Sequence, residues 1–195
     1  MKFRIFIASL VIIISSHAFS FDETSAPWIF FDLGDTIIDL KDVNKQKYVP
    51  GAKEYIQKLK DRGFKVGLIT NIPDTWGEDY EKKLKTLKEF IEKRWTEAEP
   101  FNWDHYNKII LPLKDAERKP EPTLFLKGLK AATPCPMAYF SENDKEIVVA
   151  NELGLSGYLV GNKDEPFYVP HEKLIRFIIE TFNNDYDQRC FDHIN

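Results

Sequence analysis

Five short apolar runs punctuate the chain: Trp28–Phe31, Lys65–Ile69, and residues 108–111, 138–140 and 157–160. Each is too short for a helix, is rich in β-branched or aromatic residues, and stops at a polar turn. That is the pattern of a buried strand. Between the runs, apolar residues recur every three or four positions, the period of a helix with one buried face. Ala52, Tyr55, Ile56 and Leu59 follow Pro50 and Gly51 and predict a helix within 48–62, with Gly63 at the place of a C-terminal cap. Trp76, Tyr80, Leu84, Leu87, Ile91 and Trp95 step along one stripe with Glu and Lys opposite, predicting a single helix across 76–95. Residues 123–132, 146–153 and 172–182 supply three more. Strands alternating with helices predict an α/β domain with a doubly wound parallel sheet.

The first twenty residues follow a different rule. Lys2 and Arg4 precede an apolar stretch from Ile5 to Ile14, followed by Ser15, Ser16 and His17 and the small residues Ala18 and Ser20. This is the layout of a secretory signal, so 1–20 is expected to be a signal peptide cleaved after Ser20. The alternative is an uncleaved membrane anchor, for which the stretch is shorter than the ~20 residues a membrane span needs. The expected product is a single domain over 21–195, exported to the periplasm or secreted, with no membrane association after cleavage.

Cleavage removes Lys2 and Arg4 and no acid, taking the formal charge from −4 to −6. Such a chain is not expected to bind nucleic acid. Cys135 and Cys190 are the two cysteines. An exported location permits a disulfide between them without requiring one, and the absence of CxxC spacing argues against a zinc site.

Four polar clusters end successive predicted strands. They are Asp32 with Asp35 and Thr36; Thr70 with Asn71; Lys119-Pro120-Glu121-Pro122; and Glu142 with Glu146. Taken singly, each has a local explanation as a cap, a helix start or a solvated acidic pair. In an open α/β sheet, however, ligands bind at the carboxyl ends of the strands. Together the clusters bring to one edge a nucleophilic carboxylate, a hydroxyl, a cation and a second acid, which is the set that phosphoryl transfer needs.

In this order the clusters resemble the motifs of the haloacid dehalogenase superfamily, over essentially the whole mature chain. Phe30-Phe31-Asp32-Leu33-Gly34-Asp35-Thr36 is similar to its first motif and Leu68-Ile69-Thr70-Asn71 to its second. Arg118-Lys119-Pro120-Glu121-Pro122 is similar to the third, and Phe140-Ser141-Glu142-Asn143-Asp144-Lys145-Glu146 to the fourth. The resemblance implies a Rossmann-like fold and a Mg²⁺-dependent phosphatase. In it Asp32 would form an aspartyl-phosphate, Thr70 would bond the transferring group, and Lys119 would neutralise charge, with Asn71 at the substrate. Asp32, the carbonyl of Gly34, Glu142 and Glu146 would supply Mg²⁺ ligands.

Two motifs, the first and the fourth, depart from the family pattern. Gly34 stands where the family has the Asp that protonates the leaving oxygen, and Glu142 and Glu146 stand where it has Asp. Asp35, one place further on, is expected to point elsewhere. Only 33 residues separate Thr36 from Thr70, and 47 separate Asn71 from Lys119, so no separate cap domain fits. An open site suits a phosphorylated small molecule or a phosphoprotein. The alternative is a non-catalytic protein of the same fold that binds a phosphorylated ligand or a protein partner. Carbon–halogen hydrolysis uses the same nucleophile but needs an enclosing cap.

Overall fold

A computed structural model describes residues 25–194. The expected signal segment, 1–20, lies outside the described residues. In chain order the elements are β1 (Trp28–Phe31), β2 (Ile38–Asp39), β3 (Lys47–Tyr48), α1 (Ala52–Asp61), β4 (Lys65–Ile69) and α2 (Tyr80–Glu92). They continue with β5 (Lys108–Ile110), α3 (Pro122–Ala132), β6 (Met137–Ser141), α4 (Asp144–Glu152), β7 (Ser156–Leu159) and α5 (His171–Thr181). Five strands form one parallel sheet in the order β5-β4-β1-β6-β7. The expected doubly wound α/β architecture is present. From β1 the chain builds outward through β4 and β5, then crosses back to β6 and β7, so the strand order reverses beside β1.

β1 is central and buried on both faces: Ile29, Phe30 and Phe31 have no solvent exposure. Alternation along the strands assigns side chains to the two layers. Phe31 and Phe140 meet edge to face and continue into Tyr55 of α1 and Phe177 of α5. Tyr139, on the other face, packs against Phe125 of α3. Lys65 aligns with Trp28 and Met137, so β1, β4 and β6 run in step and end at one level.

Local signals explain most element ends. Gly63 has φ 95, the left-handed conformation that lets the chain leave α1. Pro122 starts α3, where a missing N–H costs nothing. Asn143 caps α4 by accepting from the Lys145 N–H at 3.1 Å.

The single helix expected across 76–95 is divided. Trp76 closes a short 3₁₀ turn, and the helix proper begins at Tyr80 because the Asp79 carboxylate accepts from the Lys82 N–H at 2.8 Å. It ends at Glu92, and Trp95 instead donates its indole N–H to the Glu99 carbonyl at 2.7 Å. The helix expected within 48–62 starts later, at Ala52. Tyr48 instead pairs antiparallel with Ile38, so β2 and β3 form a two-stranded ribbon after the first motif. Strands of two residues produce no periodic signal, which is why the sequence concealed them. Among the described residues no helix is long and apolar enough to cross a membrane.

Cys135 and Cys190 form a disulfide with Cα atoms 5.6 Å apart, tying the start of β6 to the C-terminal segment. The bridge closes a loop of 55 residues. Replacing both cysteines with serine is expected to lower stability by about 2–4 kcal/mol. Urea denaturation of the oxidised wild type beside the double variant measures it, and equal midpoints would show that the crosslink carries no stability.

Candidate functional site

The carboxyl edge of the sheet gathers the polar clusters. Asp32 follows β1 directly, and its N–H bonds the Phe140 carbonyl at 2.8 Å. The chain then turns tightly, with the Ile37 and Ile38 N–H groups both donating to the Leu33 carbonyl. Asp35 occupies the left-handed region at φ 48, and its carboxylate accepts from the Leu40 N–H at 2.9 Å. It therefore closes the turn into the ribbon. Thr70 follows β4 and is almost fully buried, with its N–H on the Ile110 carbonyl of β5.

Lys119 arrives from a loop, and Asn71 holds it there. The Asn71 amide donates to the Lys119 carbonyl at 2.9 Å and accepts from the Lys119 N–H at 2.8 Å. Expected at the substrate, Asn71 is instead engaged with the backbone that positions the lysine, although it also lines the cavity described below. The Lys119 ammonium has no solvent exposure and donates to three acceptors: Asp32 Oδ1 at 2.5 Å, the Tyr139 hydroxyl at 2.6 Å and Glu146 Oε2 at 2.8 Å. Tyr139 passes its own proton toward Glu146 Oε2 at 2.6 Å, and Ser141 donates to the same oxygen at 3.0 Å. Glu146 is thus committed as the anchor of Lys119. Of the two acids expected at a metal, Glu142 stands closer to solvent. It accepts from the Thr36 hydroxyl at 2.8 Å, and its N–H donates back to Thr36 Oγ1 at 3.2 Å.

The electrostatics follow from this crowding. Burial pushes the Asp32 carboxyl above the usual aspartate range, with the Lys119 ammonium pulling against it and the Glu146 charge adding to it. Burial also raises Glu142, and the Asp32 charge raises it further. The Tyr139 phenol is held protonated by burial and by the neighbouring Asp32 and Glu146 charges. Three carboxylates against one ammonium leave excess negative charge at the edge of the sheet.

That surplus is the setting in which a hard divalent cation binds, and Mg²⁺ is held by one or two carboxylates while it keeps several waters. Asp32 and Glu142 meet that requirement, with Gly34 beside them on the same cavity wall. Among the described residues no three His, Cys, Asp or Glu side chains are grouped closely enough to form a metal cage by themselves. Asp32, Glu142 and the Gly34 carbonyl are the groups here whose oxygen chemistry suits a partly hydrated Mg²⁺.

Asp32, Gly34, Thr70, Asn71, Glu142 and Glu146 all line one cavity of about 300 Å³. Lys119 lies behind Asp32, outside the lining. The opposite wall comes from the ribbon and α2, including Leu40, Trp76 and Phe90. A larger groove of about 780 Å³ runs along the outer edge of β5, away from these residues. Two members of the site, Tyr139 and Gln46, were missed in the sequence. Tyr139 shares a strand face with Ser141, and this polar alternation inside an apolar run was the available signal. Gln46 sits in a segment with no pattern at all.

No protein-family model matches the sequence, and no curated protein matches it either. Solved structures match by shape. A HAD-superfamily hydrolase from Ehrlichia chaffeensis is 14% identical with a TM-score of 0.50, covering 82% of this chain and 98% of that one. A haloacid dehalogenase-like family hydrolase from Streptococcus pneumoniae is 12% identical with a TM-score of 0.50, covering 80% and 100%. A dehalogenase is 12% identical with a TM-score of 0.52, covering 77% and 90%. At these identities the likeness is one of fold: the chain has the Rossmann-like α/β fold of the haloacid dehalogenase superfamily.

Lys119→Met leaves Asp32 and Glu146 buried without their cation and is expected to cost about 3–5 kcal/mol at pH 7. With the ammonium gone, burial and the Glu146 charge hold the Asp32 carboxyl further above the usual aspartate range, so the variant's native state binds more protons than the unfolded chain. Stability then falls as pH rises, and the variant's deficit should shrink on acidification from pH 7 to 5. Denaturant unfolding at both pH values reads the difference, and a deficit independent of pH would contradict this account.

Proposed function

We propose that this chain, built on the haloacid dehalogenase fold, is an exported Mg²⁺-dependent phosphomonoester hydrolase acting through an aspartyl-phosphate on Asp32. The observation that carries the reading is the meeting of Asp32, Thr70, Lys119 and Glu142 at one sheet edge, although they lie up to 110 positions apart in sequence. Oδ1 of Asp32 carries Lys119, and Oδ2 lies on the side of Gly34. A lone pair of the carboxylate forms the bond to phosphorus while the ester P–O bond breaks, its electron pair leaving with the alcohol oxygen. Water then attacks the phosphorus, its proton passing to bulk solvent, and the pair of the broken acyl–phosphate bond returns to Asp32. The Thr70 hydroxyl donates to the transferring group, and Lys119 fixes Asp32 and offsets its charge. Asp32, Glu142 and the Gly34 carbonyl would hold Mg²⁺, which supplies charge neutralisation at the phosphoryl oxygens when bound.

Gly34 sets the limit on this chemistry. A Cβ built there would meet Leu40 Cδ1 at 2.7 Å, so a leucine methyl fills the space an acidic side chain would take. Asp35 is engaged with the Leu40 N–H and does not replace it. General acid–base help is worth on the order of 10²–10⁴ in rate, so the enzyme should be slow on esters of basic alcohols. The same observation favours a second reading, a non-catalytic protein that binds a phosphorylated ligand. The signal segment read in residues 1–20 and the Cys135–Cys190 bridge support export to an oxidising compartment.

Mature protein should hydrolyse 4-nitrophenyl phosphate with Mg²⁺, lose turnover with a chelator, and lose it in Asp32→Asn. No turnover with any divalent ion would leave the binding protein as the function.

Gly34→Asp is expected to raise turnover of an alkyl phosphate at least about tenfold, by restoring a proton donor. The Gly34 backbone lies outside the left-handed region, and the methyl in the way ends a flexible, partly exposed side chain. Steady-state rates on one alkyl ester, wild type against variant, decide it. An unchanged rate would mean that proton transfer is not what limits the enzyme.

A further inference from the structure

The wall of the cavity facing Asp32 has a chemistry of its own. Ile38 and Leu40 come from the ribbon, Ile72 from the loop after β4, and Trp76 and Phe90 from the α2 region. The two rings lie 4.9 Å apart, and the Arg94 guanidinium covers Phe90 at 3.8 Å. This wall is held firmly: the Trp76 carbonyl accepts from the Thr86 hydroxyl at 2.8 Å, and the buried Lys83 ammonium ties the turn before it to α2. Among these apolar groups lies one polar side chain, Gln46, which lines the cavity with only 1% exposure. Its Oε1 is buried and has no hydrogen-bond partner among the described residues. Buried polar atoms are normally satisfied, so an orphaned acceptor in a cavity wall points to a ligand donor.

Resting on the phosphatase reading above, we infer that the substrate is an aryl phosphate whose aromatic body lies against Trp76, Phe90 and Leu40 and whose far end donates a hydrogen bond to Gln46. Three observations agree on this class. The lining is apolar and aromatic, which suits a ring. A volume of about 300 Å³ is at the lower end for ligand pockets and holds a phosphate with one substituted ring. The leucine methyl over Gly34 leaves the departing oxygen without a proton donor, and a phenolate, with a conjugate acid pKa of about 10, leaves without one far more readily than an alkoxide. In the transfer, the phenolic P–O bond breaks as Asp32 bonds to phosphorus. The phenolate carries off the electron pair and takes its proton from solvent.

The test compares three esters on the mature protein with Mg²⁺: 4-(hydroxymethyl)phenyl, 4-ethylphenyl and 2-phenylethyl phosphate. The first two are close in size and phenol acidity, and the first carries a hydroxyl where the second has a methyl, so the Gln46→Leu comparison isolates the hydrogen bond from the hydroxyl's own hydration. A preference of about tenfold in kcat/KM for the hydroxymethyl ester is expected, from pairing a buried acceptor that the ethyl ester leaves orphaned. In Gln46→Leu the two aryl esters should converge. The alkyl ester should be slower than 4-ethylphenyl phosphate by at least about a hundredfold, the lower bound of the missing acid's contribution. Equal kcat/KM for the two aryl esters in the wild type, or an alkyl ester as fast as an aryl one, would overturn the inference and leave the phosphatase reading standing. Absence of Asp32-dependent hydrolysis of all three, and of 4-nitrophenyl phosphate, would overturn both.

Discussion

A single buried ammonium organises this molecule's functional edge. Lys119 Nζ, without solvent contact, bridges Asp32 just after β1 and Glu146 on α4, with the Tyr139 hydroxyl of β6 as third acceptor. Burying one charge alone is costly, and burying three is tolerated only when their hydrogen bonds are mutually satisfied. Each partner in turn is fixed from elsewhere. Asn71 grips the Lys119 backbone, Ser141 supports Glu146, and the Asp32 N–H is pinned to the strand beside it. The network joins the ends of three strands and a helix, so the positions of the chemical groups and the packing of the sheet edge are one problem.

The ribbon of β2 and β3 performs the second task, shaping what reaches that edge. It exists because the turn after Asp32 doubles back on Leu33 and because Asp35, in the left-handed region, caps the Leu40 N–H. Leu40 is thereby brought against Gly34. The absence of a side chain at position 34 and the presence of an apolar one at position 40 belong together, because the Leu40 methyl takes the space a Cβ at Gly34 would need and puts a hydrophobic surface beside Asp32. Helix α2 completes the wall, held by Asp79 at its start and by the buried Lys83 beneath it.

The sheet supplies the remaining constraint. Because β1 lies between β4 and β6, with all three ending at one level, the loops after them open into the same crevice beside the reversal in strand order. Any polar residues encoded directly after these strands are brought together by topology, whatever their distance along the chain. A catalytic reading of Asp32, Thr70 and Glu142 therefore depends on strand order more than on any one motif.

The sequence by itself determined the elements and their order. All five sheet strands lie where the apolar runs stand, and α1 and α3–α5 follow the helical periodicity closely; Asp32, Thr70 and Glu142 line one cavity, with Lys119 bonded to Asp32 behind it. These features are local, or repeat with a fixed period, so they are written in neighbouring residues. Tertiary structure alone decided the rest. It divided the 76–95 stripe at Asp79, made a ribbon of residues without periodicity, joined Cys135 to Cys190, and turned Asn71 and Glu146 into supports for Lys119. It also gave Tyr139 and Gln46 their places in the site. Such assignments depend on which distant groups compete for the same donor or the same space, and that competition is settled only when the chain has closed on itself.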